Sequence, residues 1–267
     1  AAADWGGVTI TQTLLDGTRR RLGDGRLLQT GGARRLATAA SYRLKLAASD
    51  AAAGDEFGRS MAIEGDTVVV GASKADNSGG ANSGSVYILR ASDGAPLAKL
   101  TADDAAADDE FGCSVAIEGD TVVIGAFNAG TGGAVYVFRT TNGGASYSKI
   151  AKLTAADAAA SDKFGISVAI DGGTIVVAAY NDGNDGNNWT GSGSVYVFRS
   201  SDGWSTYTEI KLTASDAAAS DIFGWSMAFD GTTIVVGASG KNAVYVFRTT
   251  DGGAPYGQMA KLTTAGE

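Results

Sequence analysis

A Phe-Gly pair returns four times in this chain, at Phe57-Gly58, Phe111-Gly112, Phe164-Gly165 and Phe223-Gly224, at intervals of 54, 53 and 59 residues. A Lys-Leu pair keeps the same spacing, starting at Lys45, Lys99, Lys152, Lys211 and Lys261. A repeat of about 40–60 residues built from short apolar runs constrains the fold more than any other feature here, because it implies one supersecondary unit used over and over.

The unit from Lys99 to Ala155 shows what is repeated. Four strands are predicted in it: Ser114–Ile117, Thr121–Ala126, Ala134–Arg139 and Tyr147–Thr154. Each is a run of apolar and β-branched residues bounded by Gly, Asn, Asp or Ser. The second, Thr-Val-Val-Ile-Gly-Ala, is continuously apolar, as expected of a strand covered on both faces. A single four-stranded sheet cannot cover both its own faces; sheets stacked around an axis can. The expected fold is therefore all-β, a β-propeller of four-stranded blades. Its clear blades run from Phe57 to Thr101, Phe111 to Thr154, Phe164 to Thr213 and Phe223 to Thr263.

These residues resemble the FG-GAP repeat family, the repeat of integrin α-subunit propellers. The resemblance rests on Phe57-Gly58 with Gly71-Ala72, Phe111-Gly112 with Gly125-Ala126, and Phe223-Gly224 with Gly237-Ala238. The third copy departs, since Phe164-Gly165 is followed by Ala178-Ala179. It covers residues 45–263 and implies a propeller that binds protein partners. The calcium loops of the integrin repeat do not carry over, because Glu64-Gly65-Asp66 and its counterparts lack the Asp-x-Asp-x-Asp spacing that surrounds a hard cation with oxygens.

Residues 1–47 differ from the rest. They hold eight basic and three acidic residues, in a chain whose net charge is −8. Four strands are expected there (Val8–Leu15, Thr18–Leu22, Arg26–Thr30 and Tyr42–Ala47), making a divergent fifth blade. The alternative is a basic arm that docks on a partner or on the acidic remainder. The chain opens on Ala1 rather than Met, as expected of a processed form or a piece of something longer.

The loops between second and third strands vary most, at Ser73–Gly84, Phe127–Gly133, Tyr180–Gly193 and Ser239–Asn242. Variable polar loops on a constant scaffold are where recognition is usually carried. In the longest, Asn181, Asp182, Asn184, Asp185 and Trp189 are the candidate ligand-binding rim. Asp182 and Asp185 could offer oxygens to calcium, and Trp189 is a candidate exposed anchor. Asn188-Trp189-Thr190 fits the glycosylation sequon, with Asn188 as acceptor. The loops joining repeats share Asp-Ala-Ala-Ala-x-Asp-x-Phe-Gly. One turn of helix is expected in each, capped by its first Asp: Asp50, Asp104, Asp157 or Asp216.

Catalysis finds little support. There is no His, so a Ser-His-Asp or Cys-His arrangement is excluded. The lone Cys113 follows a Phe-Gly pair, where the other copies have Arg59, Ile166 and Trp225. The innermost strands carry no carboxylate to serve a glycosidase. An acidic chain argues against nucleic-acid binding, and no apolar run is long enough for a membrane-spanning helix. The expectation is a non-catalytic interaction scaffold of a cell-surface or extracellular assembly, a glycoprotein of adhesion type. Its protein partners would bind at the variable rim or through the basic N-terminal segment. Two alternatives stand beside it: a structural subunit docked through that segment, and a propeller that binds or cleaves glycans with Trp189 as stacking platform.

Overall fold

The computed structural model describes residues 44–183, 189–250 and 255–264. They form four antiparallel four-stranded sheets in simple up-and-down order. Sheet I contains β1 (Phe57–Glu64), β2 (Thr67–Ala72), β3 (Ser85–Arg90) and β4 (Pro96–Leu100). Sheet II contains β5 (Ser114–Glu118), β6 (Thr121–Ala126), β7 (Ala134–Arg139) and β8 (Ser148–Leu153). Sheet III contains β9 (Phe164–Asp171), β10 (Thr174–Ala179), β11 (Ser194–Arg199) and β12 (Thr208–Leu212). Sheet IV contains β13 (Phe223–Phe229), β14 (Thr233–Ala238), β15 (Ala243–Arg248) and β16 (Gly257–Thr263). The strands expected from the second repeat unit agree with β5–β8 to within a residue.

The sheets pack face to face in chain order. Strand alternation gives each sheet a trailing face, which meets the next sheet, and a leading face, which meets the previous one. Val69, Val86, Ile88 and Leu100 of sheet I meet Val122, Ile124, Tyr136 and Phe138 of sheet II. Val123, Val135, Val137 and Leu153 then meet Ile175, Val177, Tyr196 and Phe198 of sheet III. Val176, Val195, Val197 and Leu212 meet Ile234, Val236, Tyr245 and Phe247 of sheet IV. Strands β6 and β10 are therefore buried at every position, whereas β14 alternates between buried and half-buried.

The Phe-Gly and Gly-Ala pairs are two halves of one joint. Gly58, Gly112, Gly165 and Gly224 sit at φ between +92° and +97°, a backbone closed to side chains, and each turns the chain into its innermost strand. In sheets I, III and IV this leaves two unpaired residues, a bulge at the start of β1, β9 and β13. The incoming peptide then lies on the preceding sheet. A Cβ on Gly71 would stand 2.0 Å from the Gly112 carbonyl oxygen, and one on Gly125 would stand 2.0 Å from that of Gly165. Ser60 and Ser114 donate to those same carbonyls at 2.8 and 2.7 Å. The Phe backbone N–H completes the joint: Phe111 donates to Ser83, Phe164 to Gly132 and Phe223 to Ser192. In the third copy Ala178 stands at the place of Gly71 and Gly125, with its Cβ 3.1 Å from where a Cβ on Gly224 would lie, and no bond from Ser167 to the Gly224 carbonyl forms.

Two expectations need correction. Residues 44–48 form no strand, so the described part of the expected strand Tyr42–Ala47 pairs with nothing. The other three N-terminal strands, and the fifth blade they would complete, lie outside the described residues. The inter-sheet loops form turns, not a turn of helix. The second Asp, not the first, satisfies the local N–H: Asp55, Asp109, Asp162 and Asp221 accept from Ala52, Ala106, Ala159 and Ala218 at 2.6–2.8 Å. The first Asp is engaged at long range.

Candidate functional site

The loops that vary and the loops that recur share one end of the sheets. The inter-sheet loops run beside the loops between second and third strands: Asn82 of that loop in sheet I donates to the Asp108 carboxylate at 2.8 Å, and Asn128 of that loop in sheet II donates to the Asp108 carbonyl at 3.1 Å. This end is the candidate rim.

A three-residue staple anchors it in every repeat. The hydroxyls of Tyr87, Tyr136, Tyr196 and Tyr245 donate to Asp50, Asp104, Asp157 and Asp216 at 2.7–2.9 Å. The other oxygen of each Asp pairs with Lys99, Lys152, Lys211 or Lys261 of the last strand, at 2.5–2.9 Å. Each ammonium also lies 5.1–5.9 Å from its Tyr ring centroid. The hydrogen bonds to lysine and tyrosine hold the Asp50 and Asp216 carboxyls below their ordinary range. At Asp104 and Asp157 burial pushes the other way, and the same bonds outweigh it. Burial and the neighbouring carboxylate raise Tyr136, Tyr196 and Tyr245 well above the usual phenol range. The staple pins the incoming loop to the third and fourth strands of its own sheet, so these Asp residues are structural.

The opposite end has a second link that reads in sequence only as a turn. The Glu64 carboxylate accepts from the Gly119 N–H at 2.6 Å, and Glu118 accepts from Gly172 at 2.7 Å. The acid in one sheet's turn thus holds the turn of the next.

The candidate rim residues separate into two groups. Asn181 is fully buried and Asp182 nearly so. Asn181 donates to the Ser161 carbonyl at 2.8 Å and accepts from the Thr190 and Gly191 N–H groups at 3.1 Å. Asp182 pairs with Lys211 at 2.5 Å and accepts from Tyr196 at 3.3 Å. Both side chains are buried and close the loop from inside. Asn184, Asp185 and Asn188 lie outside the described residues, so the second calcium oxygen and the sequon do too. Among the described residues no three His, Cys, Asp or Glu side chains gather as a metal site.

Trp189 does reach the surface. It is 51 % exposed and packs against Tyr180 at 5.1 Å and Trp225 at 5.2 Å between ring centroids. Trp225 is itself 42 % exposed. Sequence reading placed Trp189 at the rim but missed its partner; the exchange of Arg59, Cys113 and Ile166 for Trp225 at the matching position was the available signal. Cys113 is buried, donates to the Gly165 carbonyl at 3.4 Å, and has its thiol pushed up to about 12 by burial. It packs inside the joint, where burial disfavours the thiolate. No helix among the described residues is long and apolar enough to cross a membrane.

No curated protein matches this chain. Among solved structures, the computationally designed Ika4 protein is similar over 76 % of this chain and 95 % of its own, at 17 % identity and a TM-score of 0.47. The FG-GAP repeat matches residues 42–89, 95–138, 147–198 and 207–256. Each match ends within or beyond the third strand of a sheet, and the last three begin in or just before the fourth strand of the sheet before. The family unit is thus one strand out of phase with the sheet and spans each joint. With four copies over most of its length, and with the Phe-Gly and Gly-Ala pairs forming that joint, the chain belongs to the FG-GAP repeat family.

Proposed function

We propose that this chain is a non-catalytic, propeller-type scaffold of a cell-surface or extracellular assembly, which binds a protein partner through the rim. The observation that carries the reading is the division of labour along the strands. The joints and the Asp-Tyr-Lys staples recur with little change, while the loops they hold at the rim, at 73–84, 127–133 and 180–193, differ in length and composition. A scaffold that fixes variable loops in register is a recognition device. The non-catalytic part of the proposal rests on the absence of His from the sequence and on the burial of Cys113.

A photo-crosslinking amino acid placed in turn at two exposed positions tests the reading. Thr131 lies in the rim loop of sheet II, and Thr232 in the turn at the far end of sheet IV. On material from the native source, a discrete adduct is expected from Thr131 and none from Thr232. Equal yield at both positions, or an adduct from Thr232 alone, contradicts it.

A further inference from the structure

The residue just before the Phe-Gly pair changes character in the third copy. It is Glu56, Glu110, Lys163 or Ile222, and all four lie at φ between +55° and +64°. The backbone path is therefore common, and the side chain alone is exchanged. Glu56 pairs with Lys74 at 2.6 Å. Lys163 has no such partner. Of the eight lysines from Lys74 onward, it is the one whose ammonium pairs with no carboxylate. Lys163 is half-buried, donates to the Asn128 side-chain carbonyl at 2.6 Å and lies 5.2 Å from the centre of the Phe127 ring. Burial pulls its pKa below the ordinary lysine range, and the Glu110 charge offsets this only in part. A partly buried charge with no counter-charge is costly to keep.

This ammonium lines a pocket of about 290 Å³ at the rim, between the variable loop of sheet II and the loop leading into sheet III. The volume is at the small end of ligand sites, which span ~300–1,000 Å³. Lys163 is the one charged residue of the lining. The rest is built for donation. The hydroxyls of Thr131 and Ser161 and the backbone N–H groups of Gly130, Thr131 and Gly132 belong to lining residues, and among the described residues none of them has a partner. Gly130 and Gly132 sit at φ +58° and +82°. Successive N–H groups in turns of this kind form concavities that take anions.

We infer that this pocket binds a carboxylate, carried by a small organic acid or by an acidic side chain of the partner. One ammonium balances one negative charge, and the hydroxyl and amide donors can share the two oxygens. A dianion would bring a second charge, with no second cation in the lining, to a chain of net charge −8. The side-chain source rests on the protein-binding reading of the rim; the pocket itself does not, since a free acid can fill it.

The test is an NMR titration of the full chain, following the Gly130, Thr131 and Gly132 amides at constant ionic strength. The probes are sodium acetate and the blocked tripeptide Gly-Glu-Gly, with blocked Gly-Gln-Gly as the neutral control. At least one acid is expected to saturate with a Kd below about 20 mM, and the control is not. Tighter binding of acetate names a free acid as the source, tighter binding of the Glu peptide an acidic side chain, and both support the site. Lys163→Gln should weaken binding about tenfold, as for a hydrogen bond to a charged group. Thr131→Val, at an exposed residue, is the second variant and should weaken it about threefold with the melting curve unchanged. Saturation by neither acid, equal binding of the Gln peptide, or unchanged affinity in Thr131→Val or in a folded Lys163→Gln overturns the assignment. Because no partner is present in this titration, its failure leaves the crosslinking test at Thr131 and Thr232 to judge the rim separately.

Discussion

The trailing face of sheet II and the trailing face of sheet IV are built from nearly the same residues and do opposite things. Val123, Val135, Val137 and Leu153 are fully buried under sheet III. Their counterparts Val235, Val244 and Val246 are half-buried, and Leu262 is 56 % exposed. Among the described residues sheet III covers the first face and no sheet covers the second. The two sheets also differ in a few atoms at the joint, which in sheet II are a glycine that lets a carbonyl in, a serine that bonds it, and a second glycine that clears its path. Sheet II has Gly125, Ser114 and Gly133. Sheet IV keeps Gly237 and Ser226 but replaces the third with Asn242. Sheet III is the intermediate case, joined through Gly193 and packing although Ala178 fills the first slot.

The sharpest way to break this comparison is at the phenylalanines. Phe164 is fully buried in the II–III joint, edge-on to Tyr196 at 5.5 Å and Phe198 at 5.8 Å. Phe164→Ala should cost about 3–5 kcal/mol in urea unfolding. Phe57, only half-buried at the head of sheet I, makes one ring contact among the described residues, with Tyr87 at 5.6 Å, and Phe57→Ala should cost about 1–2 kcal/mol. Equal losses would show that the joint adds nothing to ordinary burial.

The staples give a smaller effect with a pH signature. Asp104→Asn removes the Lys152 pair and weakens the Tyr136 bond. The pair is about one-third to one-half exposed, so the expected loss at neutral pH is about 1 kcal/mol. The sign follows from the direction of the shift. Folded carboxyls held below their ordinary value of 3.8 stabilise the protein fully above that value, and lose this contribution as pH falls through the lower folded values. Wild type should therefore lose stability below about pH 4 more steeply than Asp104→Asn. Parallel acid curves would place the staple's contribution elsewhere.

The smallest effect on stability, and the clearest in chemistry, is at Cys113. Its thiol lies inside the II–III joint and stays protonated far above neutrality. Maleimide labelling at pH 8 should be negligible in the folded chain and complete in urea. Prompt labelling without denaturant would mean that the joint opens readily.

Much of this was legible before any coordinates. Runs such as Thr-Val-Val-Ile-Gly-Ala admit one local structure, and their spacing sets the repeat. Long-range chemistry was harder to see. Asp104 reads as a helix cap because local partners are the first to come to mind, yet its partners are 32 and 48 residues away. The signal existed: a Tyr in every third strand and a Lys in every fourth recur with the Asp, and three residues recurring together imply one another. Asn181 and Asp182 read as rim ligands because short polar side chains in a long loop suggest exposure. Their burial follows from the loop folding back on itself, as Gly191 packs against Asn181 closely enough that a Cβ would lie 2.3 Å from it.

One measurement tests the central claim, that the sheets are keyed by a Phe-Gly peptide seated on a glycine of the sheet before. Gly125→Ala and Gly237→Ala make the same change at matching positions, and their unfolding free energies should be compared directly. At Gly125 the new methyl meets the Gly165 carbonyl, 2.0 Å away, and displaces the bond from Ser114; the expected loss is about 2–3 kcal/mol. At Gly237 it meets only the Ser226 hydroxyl at 2.7 Å, which is free to turn, and the change should stay within about 0.5 kcal/mol. Equal losses at the two positions would contradict the account.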